Sequence, residues 1–161
     1  MRENLRLNGL NNVTVAQMAA GNSFGWARFS DFASDDLNKI ISDGSGIIVP
    51  LVKLEYFLTR EKIKLIKIDV EGYEKYVLEG IGSVLKNTEF IYFECYDRHF
   101  KETGTSFAQI YNLLISEDFT IAELHGNELN IVQRDYTCPT CRNLIAFRNA
   151  ADIRNRLSSL K

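Results

Sequence analysis

Two groups of polar residues in this chain follow apolar, β-branched stretches. Asp69, Glu71 and Gly72 come directly after the apolar residues 63–68. A carboxylate in such a position can take the proton of a hydroxyl group, and glycine lets the backbone turn sharply and approach a ligand closely. In an open parallel sheet, ligands lie beyond the carboxyl ends of the strands. Asp69 and Glu71 are therefore candidate catalytic residues.

A purely structural role would also explain this pair of carboxylates. A helix is predicted to begin at residue 73, and carboxylates near the positive end of a helix stabilise it. The residue types and their spacing do not separate the two interpretations, and both stay open.

The second group, Glu94 and His99, belongs to the end of the next predicted strand, residues 89–96. Adjacent parallel strands end at the same edge, so we expect these side chains to face Asp69 across one crevice. Glu94 needs a partner or a ligand, because burying an unpaired charge in an apolar strand is costly. Histidine has an unperturbed pKa near neutrality, so His99 is a candidate general base. The alternative is a histidine in a solvated loop with charged neighbours.

The three cysteines predict no disulfide framework, because their number is odd in a chain of this length. We therefore expect a reducing compartment, the cytoplasm. Cys138 and Cys141 have the spacing of a metal knuckle, but structural zinc requires four ligands. Nothing in the sequence places Cys95 or His125 near them. A turn is favoured over a zinc-dependent binding module or a redox pair, and no metal site is predicted.

Composition and charge limit the classes of protein to which the chain can belong. A chain of 161 residues suits one domain, and 45% hydrophobic with 25% charged residues is ordinary for a globular protein. The net charge of -2 provides no electrostatic reason to bind nucleic acid. No apolar run is long enough to span a bilayer, and the first residues do not resemble a secretory leader.

Apolar segments that alternate with helical patterns predict an α/β fold. Residues 63–68 and 89–96 predict strands, and residues 73–85 and 107–115 predict amphipathic helices. Strand–helix–strand units of this length form right-handed crossovers and a mainly parallel sheet. A hairpin around residues 125–127 makes that sheet mixed.

Shorter elements complete the prediction. Pro50 places the strand at 47–52 at an edge or a bend, because proline lacks a backbone N–H. The strand at 144–147 is also expected at an edge. The other predicted elements are helical at residues 2–7, 36–41, 54–59 and 150–160, and extended at residues 13–18, 24–29, 119–124 and 128–133.

The pattern resembles the FkbM family of S-adenosylmethionine-dependent methyltransferases. Its signature is similar to the run Ile68-Asp69-Val70-Glu71-Gly72, followed by Glu74, Val77-Leu78 and Gly80. Residues 2–15 resemble the second helix and third strand of that family, and residues 143–146 resemble its last strand. The resemblance covers most of the chain, from about residue 2 to residue 147.

The resemblance implies a class I methyltransferase fold, Rossmann-like, with a mixed and mostly parallel sheet and an antiparallel C-terminal hairpin. Relative to that pattern the chain lacks the first strand, first helix and second strand, including the Gly-rich turn at the cofactor. Residues 1–149 would form this partial domain and residues 150–161 a helical tail. We expect self-association through the sheet edge that the missing strands would leave unpaired.

The activity implied is methyl transfer from S-adenosylmethionine to an oxygen of a small metabolite or sugar. The resemblance places the acceptor beside Asp69, Glu71, Glu94 and His99, and the cofactor beside Met18, Ala19, Ala20 and Asp69. The small residues 19–21 could equally form only a tight loop. Because the Gly-rich turn is missing, the alternative function is a catalytically silent binding or structural module with weak cofactor binding.

Overall fold

A computed structural model describes residues 1–31, 38–41, 44–58, 62–126, 128–149 and 153. These residues form a mixed α/β structure with two sheets. The helices are α1 (Arg2–Leu7), α2 (Glu74–Ile81), α3 (Asp97–Glu102) and α4 (Phe107–Ser116), with 3-10 turns at Leu54–Tyr56 and Gly82–Asn87. The strands are β1 (Ala19–Ala20), β2 (Gly25–Phe29), β3 (Ile40–Ile41), β4 (Ile47–Val52), β5 (Ile63–Ile68), β6 (Thr88–Cys95), β7 (Thr120–His125), β8 (Glu128–Ile131) and β9 (Arg142–Phe147).

The larger sheet has the strand order β5-β6-β9-β7-β8. Strands β5 and β6 are parallel, with Ile68 opposite Phe93, so both end at the same edge of the sheet. Strand β9 lies between β6 and β7 and is antiparallel to both, so the prediction of an edge strand at 144–147 is wrong. The reason is burial, because Leu144 and Ala146 are both fully buried in the core.

The expected mainly parallel sheet is also wrong for the described strands. Only β5–β6 and β1–β4 pair in parallel. Strands β6 and β7 run in the same direction, as a crossover through α4 requires. They do not pair with each other, because β9 lies between them and pairs with both in antiparallel orientation. The predicted hairpin of β7 and β8 is present.

Helices α2 and α4 cover the parallel strands with their apolar faces. The predicted periodicity is confirmed, since Val77 and Ile81 of α2 and Ile110 and Leu114 of α4 are buried in one core with Phe93. Each fully buried side chain of this kind contributes about 1.5–3 kcal/mol relative to exposure. Helix α2 ends before the predicted residue 85, and the chain continues as a 3-10 turn.

The smaller sheet has the order β1-β4-β2-β3 and corrects two predictions. Strand β4 lies between two neighbours and not at an edge; Pro50 is tolerated because β1 pairs only with Leu51 and Val52. The strand predicted at 13–18 is absent. A strand needs a neighbour for its backbone groups, and of residues 13–20 only Ala19 and Ala20 pair with β4.

The remaining predictions concern short segments. Residues 40–41 form β3, so no helical turn extends through them, and residues 36–37 lie outside the described residues. The predicted tail also lies outside them, apart from Ile153, which is buried near Phe90 and Phe147. In the described part of the chain, no helix combines the length and apolarity that a bilayer crossing requires.

A disulfide joins Cys95, the last residue of β6, to Cys138 in the loop before β9. The expectation that the cysteines form no disulfide is therefore wrong, and Cys95 lies beside Cys138 although nothing in the sequence places it there. The two cysteines are 43 residues apart, but the pairing of β9 with β6 brings this loop over the end of β6. Asp97 adds two hydrogen bonds: its N–H donates to the Cys138 carbonyl, and its carboxylate accepts the Cys138 N–H. The loop that carries Cys141 is thus held over the end of β6.

Replacing Cys138 with serine is expected to destabilise the protein by about 3–4 kcal/mol, because the bridge closes a long loop in the unfolded chain. Urea unfolding without reductant measures the loss. Cys141→Ser is the matched control and should unfold like the unmodified chain, because Cys141 is a free thiol. A thiol titration of the denatured, unreduced protein that finds three thiols instead of one would contradict the disulfide.

Candidate functional site

A sharp turn after β5 carries the first group of polar residues. Glu71 and Gly72 both have left-handed backbone angles, with φ of 53° and 96°. A β-carbon at Gly72 would lie 2.7 Å from the carbonyl oxygen of His99, closer than atoms pack, so only glycine fits. The hydroxyl of Thr103 donates a hydrogen bond of 2.8 Å to the Gly72 carbonyl. The turn is therefore packed tightly against α3.

Helix α3 positions His99 and was not predicted. Phe100 is buried and anchors the helix to the core, and Arg98 pairs with Glu102 one turn later. The signals that were available are Asp97 in the first turn and this spacing of opposite charges. His99 thus lies in a helix with a largely buried side chain and not in a solvated loop.

Three side chains converge where the turn meets α3. The Nδ1 atom of His99 lies 3.2 Å from Glu71 Oε2 and 3.9 Å from Glu94 Oε2. The side chains of His99, Glu71 and Glu94 are 21%, 22% and 15% exposed. Within the described residues, His99 Nδ1 and Glu94 Oε2 are buried without a hydrogen-bond partner. We call these three residues the Glu-Glu-His cluster.

Burial and like charge govern the electrostatics of this cluster. Burial raises the pKa of Glu71, and the neighbouring charge of Glu94 raises it further. The other oxygen of Glu94 accepts a hydrogen bond of 2.6 Å from the thiol of Cys141. Burial and this hydrogen bond raise the pKa of Cys141 to about 11. At neutral pH Cys141 is therefore a neutral donor to Glu94 and not a reactive thiolate.

Glu74 is a buried carboxyl beneath the same turn that was not predicted as a site residue. Its side chain is 1% exposed, and its Oε1 accepts the Gly72 N–H at 3.2 Å. Burial raises its pKa to about 7, despite the opposing effect of hydrogen bonds from the backbone. The sequence contained a signal, because Glu74 precedes Val77 and Leu78 by three and four residues and so lies on the buried face of α2.

Asp69 lies outside the Glu-Glu-His cluster. Its carboxylate pairs with Lys67 at 2.8 Å and is about half exposed. The sequence predicted that both Asp69 and Glu71 would lie beside Glu94 and His99; in the structure Glu71 lies there and Asp69 does not.

Asp69 lines instead a cavity of about 270 Å³ on the other side of the turn. The four residues predicted to bind the cofactor all line this cavity, with small side chains on one wall and the ring of Tyr73 on another. Its described lining is Met18, Ala19, Ala20, Phe29, Asn38, Ile40, Asp69, Val70 and Tyr73.

Gly80 brings α2 against the loop after β1. A β-carbon at Gly80 would lie 1.8 Å from the carbonyl oxygen of Gly21, so any other residue would push the loop away. Asn22 in this loop also donates a hydrogen bond to Glu79 on α2. The small sheet and the turn after β5 are thereby held on the two sides of the cavity.

A larger cavity, of about 410 Å³, lies at the opposite end of β6 beside Thr88 and Arg148. The guanidinium of Arg148 is already bonded there to backbone carbonyls, including those of Leu85 and Glu117. None of the predicted site residues lines this cavity. We therefore do not assign the functional site to it, although it is larger than the cavity beside Asp69.

The mixed α/β arrangement with two sheets fits a methyltransferase-like fold. The sequence model of the Methyltransferase FkbM domain matches residues 2–129, which is most of the chain. The chain therefore belongs to the FkbM methyltransferase family, and the resemblance found in the sequence is confirmed. Comparisons with curated proteins and with solved structures found no significant match.

Glu74 is expected to make stability depend on pH. Its pKa is about 7 in the folded protein against 4.5 ordinarily, so the folded state binds the proton more tightly. Its stabilising contribution is complete below pH 4.5 and is lost as the pH rises through 7, by about 3 kcal/mol. Urea unfolding at pH 5 and pH 8 should show this loss in the unmodified chain and not in Glu74→Gln.

Glu89→Gln is the control for this measurement. Hydrogen bonds from Lys62 and Lys64 lower the pKa of Glu89 to about 2, so Glu89 stays ionised at both pH values. The variant should keep the pH dependence of the unmodified chain. Equal pH dependence in Glu74→Gln would show that another group is responsible.

Proposed function

We propose that this chain is an S-adenosylmethionine-dependent methyltransferase domain of the class I, Rossmann-like type that methylates an oxygen of a small metabolite or sugar. Membership of the FkbM methyltransferase family supports methyl transfer. The observation that carries the proposal is the turn from Asp69 to Gly72, in which Asp69 lines the cavity and Glu71 belongs to the Glu-Glu-His cluster.

The cavity supports the choice of cofactor. Ala19 and Ala20 leave room for a flat ring against the backbone, and Tyr73 offers an aromatic wall. Asp69 supplies a carboxylate that can accept hydrogen bonds from hydroxyl or amino groups of a nucleoside. The volume of about 270 Å³ is near the lower end of the range for small-molecule sites, so it accommodates part of the cofactor. When bound, S-adenosylmethionine supplies a methyl group activated by its sulfonium.

The Glu-Glu-His cluster would prepare the acceptor. An alcohol oxygen attacks poorly until its proton is removed, and positioned bases typically contribute about 10²–10⁴-fold to such a step. His99 Nδ1 is buried beside Glu71, so an Nδ1–H directed at that carboxylate would leave Nε2, the other ring nitrogen, to take this proton. The carboxylate of Glu71, 3.2 Å away, stabilises the imidazolium that results.

The alternative is a catalytically silent α/β domain that acts as a binding or structural module. It is kept because the cavity of about 270 Å³ accommodates only part of the cofactor. The cytoplasmic location expected from the cysteine count stays a prediction, and the Cys95–Cys138 disulfide argues against it, because disulfides are rare in that compartment.

Titration calorimetry with S-adenosylmethionine tests the proposal against this alternative. We expect saturable binding of one cofactor per chain. Asp69→Asn should weaken binding about tenfold or more, because it removes a charge-assisted hydrogen bond. The matched control is Asp118→Asn, the same chemical change at an exposed loop residue next to β7, which should bind like the unmodified chain.

Absence of binding by the unmodified, folded chain would favour the silent module. Equal binding by both aspartate variants would remove Asp69 from the cofactor site. Incubation with labelled S-adenosylmethionine and a panel of hydroxylated metabolites then identifies the acceptor.

We also propose that the chain associates with a second copy through β5. Within the described residues β5 pairs with one strand, β6, so its other edge is unpaired. Leu65 in β5 is 54% exposed. An unpaired strand edge of this kind pairs readily with another chain.

Sedimentation velocity at increasing protein concentration tests this proposal. Leu65→Lys should shift the protein towards monomer, because it places a charge at the contact. Ile131→Lys is the matched control, on the edge strand β8 at the other side of the sheet, where Ile131 is 50% exposed. A protein that stays monomeric at high concentration would refute the proposal.

A further inference from the structure

We propose that Glu71, Glu94 and His99 bind a divalent transition-metal cation. Two carboxylates from β6 and from the turn after β5 meet one imidazole from α3 in the Glu-Glu-His cluster. Each side chain offers one ligand atom, and the three atoms lie within 4.8 Å of one another. The site goes beyond the proposed methyl transfer, because cation binding does not require that reaction.

Unsatisfied buried atoms are the first observation that points to a ligand. Glu94 Oε2 and His99 Nδ1 have no hydrogen-bond partner within the described residues. The wholly buried Glu74, beneath the same turn, leaves its Oε2 without one as well. Buried polar atoms are nearly always hydrogen-bonded, so several unpaired atoms in one place indicate that a bound group completes the site.

The charges of the cluster agree with a cation. In the described part of the chain, neither Glu71 nor Glu94 forms an ion pair with a lysine or arginine. The nearby Lys39 is instead paired with Glu102 at 2.7 Å. Two carboxylates in a largely buried place repel each other unless positive charge lies between them. A divalent cation would supply that charge.

The distances are close to those of coordinated ligands. Neighbouring ligand atoms on one first-row cation, each about 2.1 Å from the metal, are about 3.0–3.5 Å apart. His99 Nδ1 and Glu71 Oε2, at 3.2 Å, already meet this requirement. Glu94 Oε2 lies 3.9 Å from Nδ1, and a small rotation of the Glu94 side chain would bring the two atoms to the distance of coordinated ligands.

A second Glu–His pair in the protein has a different environment. His125 Nε2 lies 3.1 Å from Glu123 Oε2. That carboxylate also accepts a hydrogen bond from the hydroxyl of Tyr136 and faces Arg142 at 3.6 Å. Glu123 is therefore satisfied by its own neighbours, and this pair provides a matched comparison for the proposed site.

The ligand types select the class of metal. Imidazole nitrogen suits first-row transition metals, and two carboxylate oxygens suit Mn²⁺ in particular, whereas Mg²⁺ and Ca²⁺ prefer all-oxygen sites. Three protein ligands leave coordination positions open. If the proposed methyl transfer holds, an acceptor hydroxyl fits one of them, and the cation, with His99 as its ligand, would acidify that hydroxyl in place of a free base.

Mn²⁺ binding to the chelator-treated, full-length chain tests the proposal in the absence of S-adenosylmethionine. We expect one Mn²⁺ per chain by electron paramagnetic resonance and a nitrogen coupling from His99 in the electron spin-echo modulation. Glu94→Gln should weaken Mn²⁺ binding by at least about tenfold, and His99→Ala should abolish the nitrogen coupling. Glu123→Gln should bind Mn²⁺ within twofold of the unmodified chain.

Folding of each variant is checked by circular dichroism without metal. The proposal is overturned if the unmodified chain binds no Mn²⁺ at millimolar concentration, if the bound ion shows no nitrogen coupling, or if Glu94→Gln binds as tightly as Glu123→Gln. Because S-adenosylmethionine titration uses the metal-free protein, failure of the metal site and failure of the proposed methyl transfer are separate results.

Discussion

The close approach of Gly72 to the backbone of His99 is the contact on which the geometry of the site depends. It brings a turn after one strand against a helix that follows the neighbouring strand, with no room for a β-carbon between them. The Thr103 hydroxyl, at the end of α3, donates a hydrogen bond to the Gly72 carbonyl in the same turn. Glu71 and His99 are 28 positions apart in the chain, and this contact puts their polar atoms 3.2 Å from each other. Glu94 joins them because β6 runs parallel to β5.

The surroundings of the turn determine its electrostatics. Burial makes ionisation of Glu71 and Glu74 less favourable, while the disulfide between Cys95 and Cys138 holds Cys141 where its thiol donates to Glu94. A largely buried group of acids with an unpartnered imidazole is unfavourable for stability unless a ligand or a cation completes it. Such arrangements are typical of functional sites, where ionisable groups are held in environments that shift their titration.

Two carboxylates of the same turn have different surroundings. Asp69 lines the cavity together with Ala19 and Ala20, and Glu71 belongs to the Glu-Glu-His cluster. The family match supports methyl transfer in general, and the proposal assigns the methyl donor to the cavity and the acceptor to the cluster. Gly80 lets α2 approach the loop after β1, whose residue Ala20 lines the cavity.

Local patterns predicted much of the fold. The strands at 63–68 and 89–96, the helices that follow them and the closing hairpin are recognisable because burial of one face produces a periodicity in the sequence. The signature around Asp69 was sufficient to identify the family. Glu71, Glu94 and His99 were also candidates from the sequence, because their side chains follow the predicted ends of two neighbouring strands.

Strand pairing determined the features of the fold that the sequence did not predict. The central place of β9, the inner position of β4 despite Pro50, and the absence of a strand at 13–18 depend on which strands meet, and that is a property of distant segments. The disulfide and the position of Asp69 outside the cluster have the same origin. The types of chemical group available are determined by the sequence itself. Which of them touch is determined only when backbone hydrogen bonding and burial bring residues far apart in the chain to one edge of a sheet.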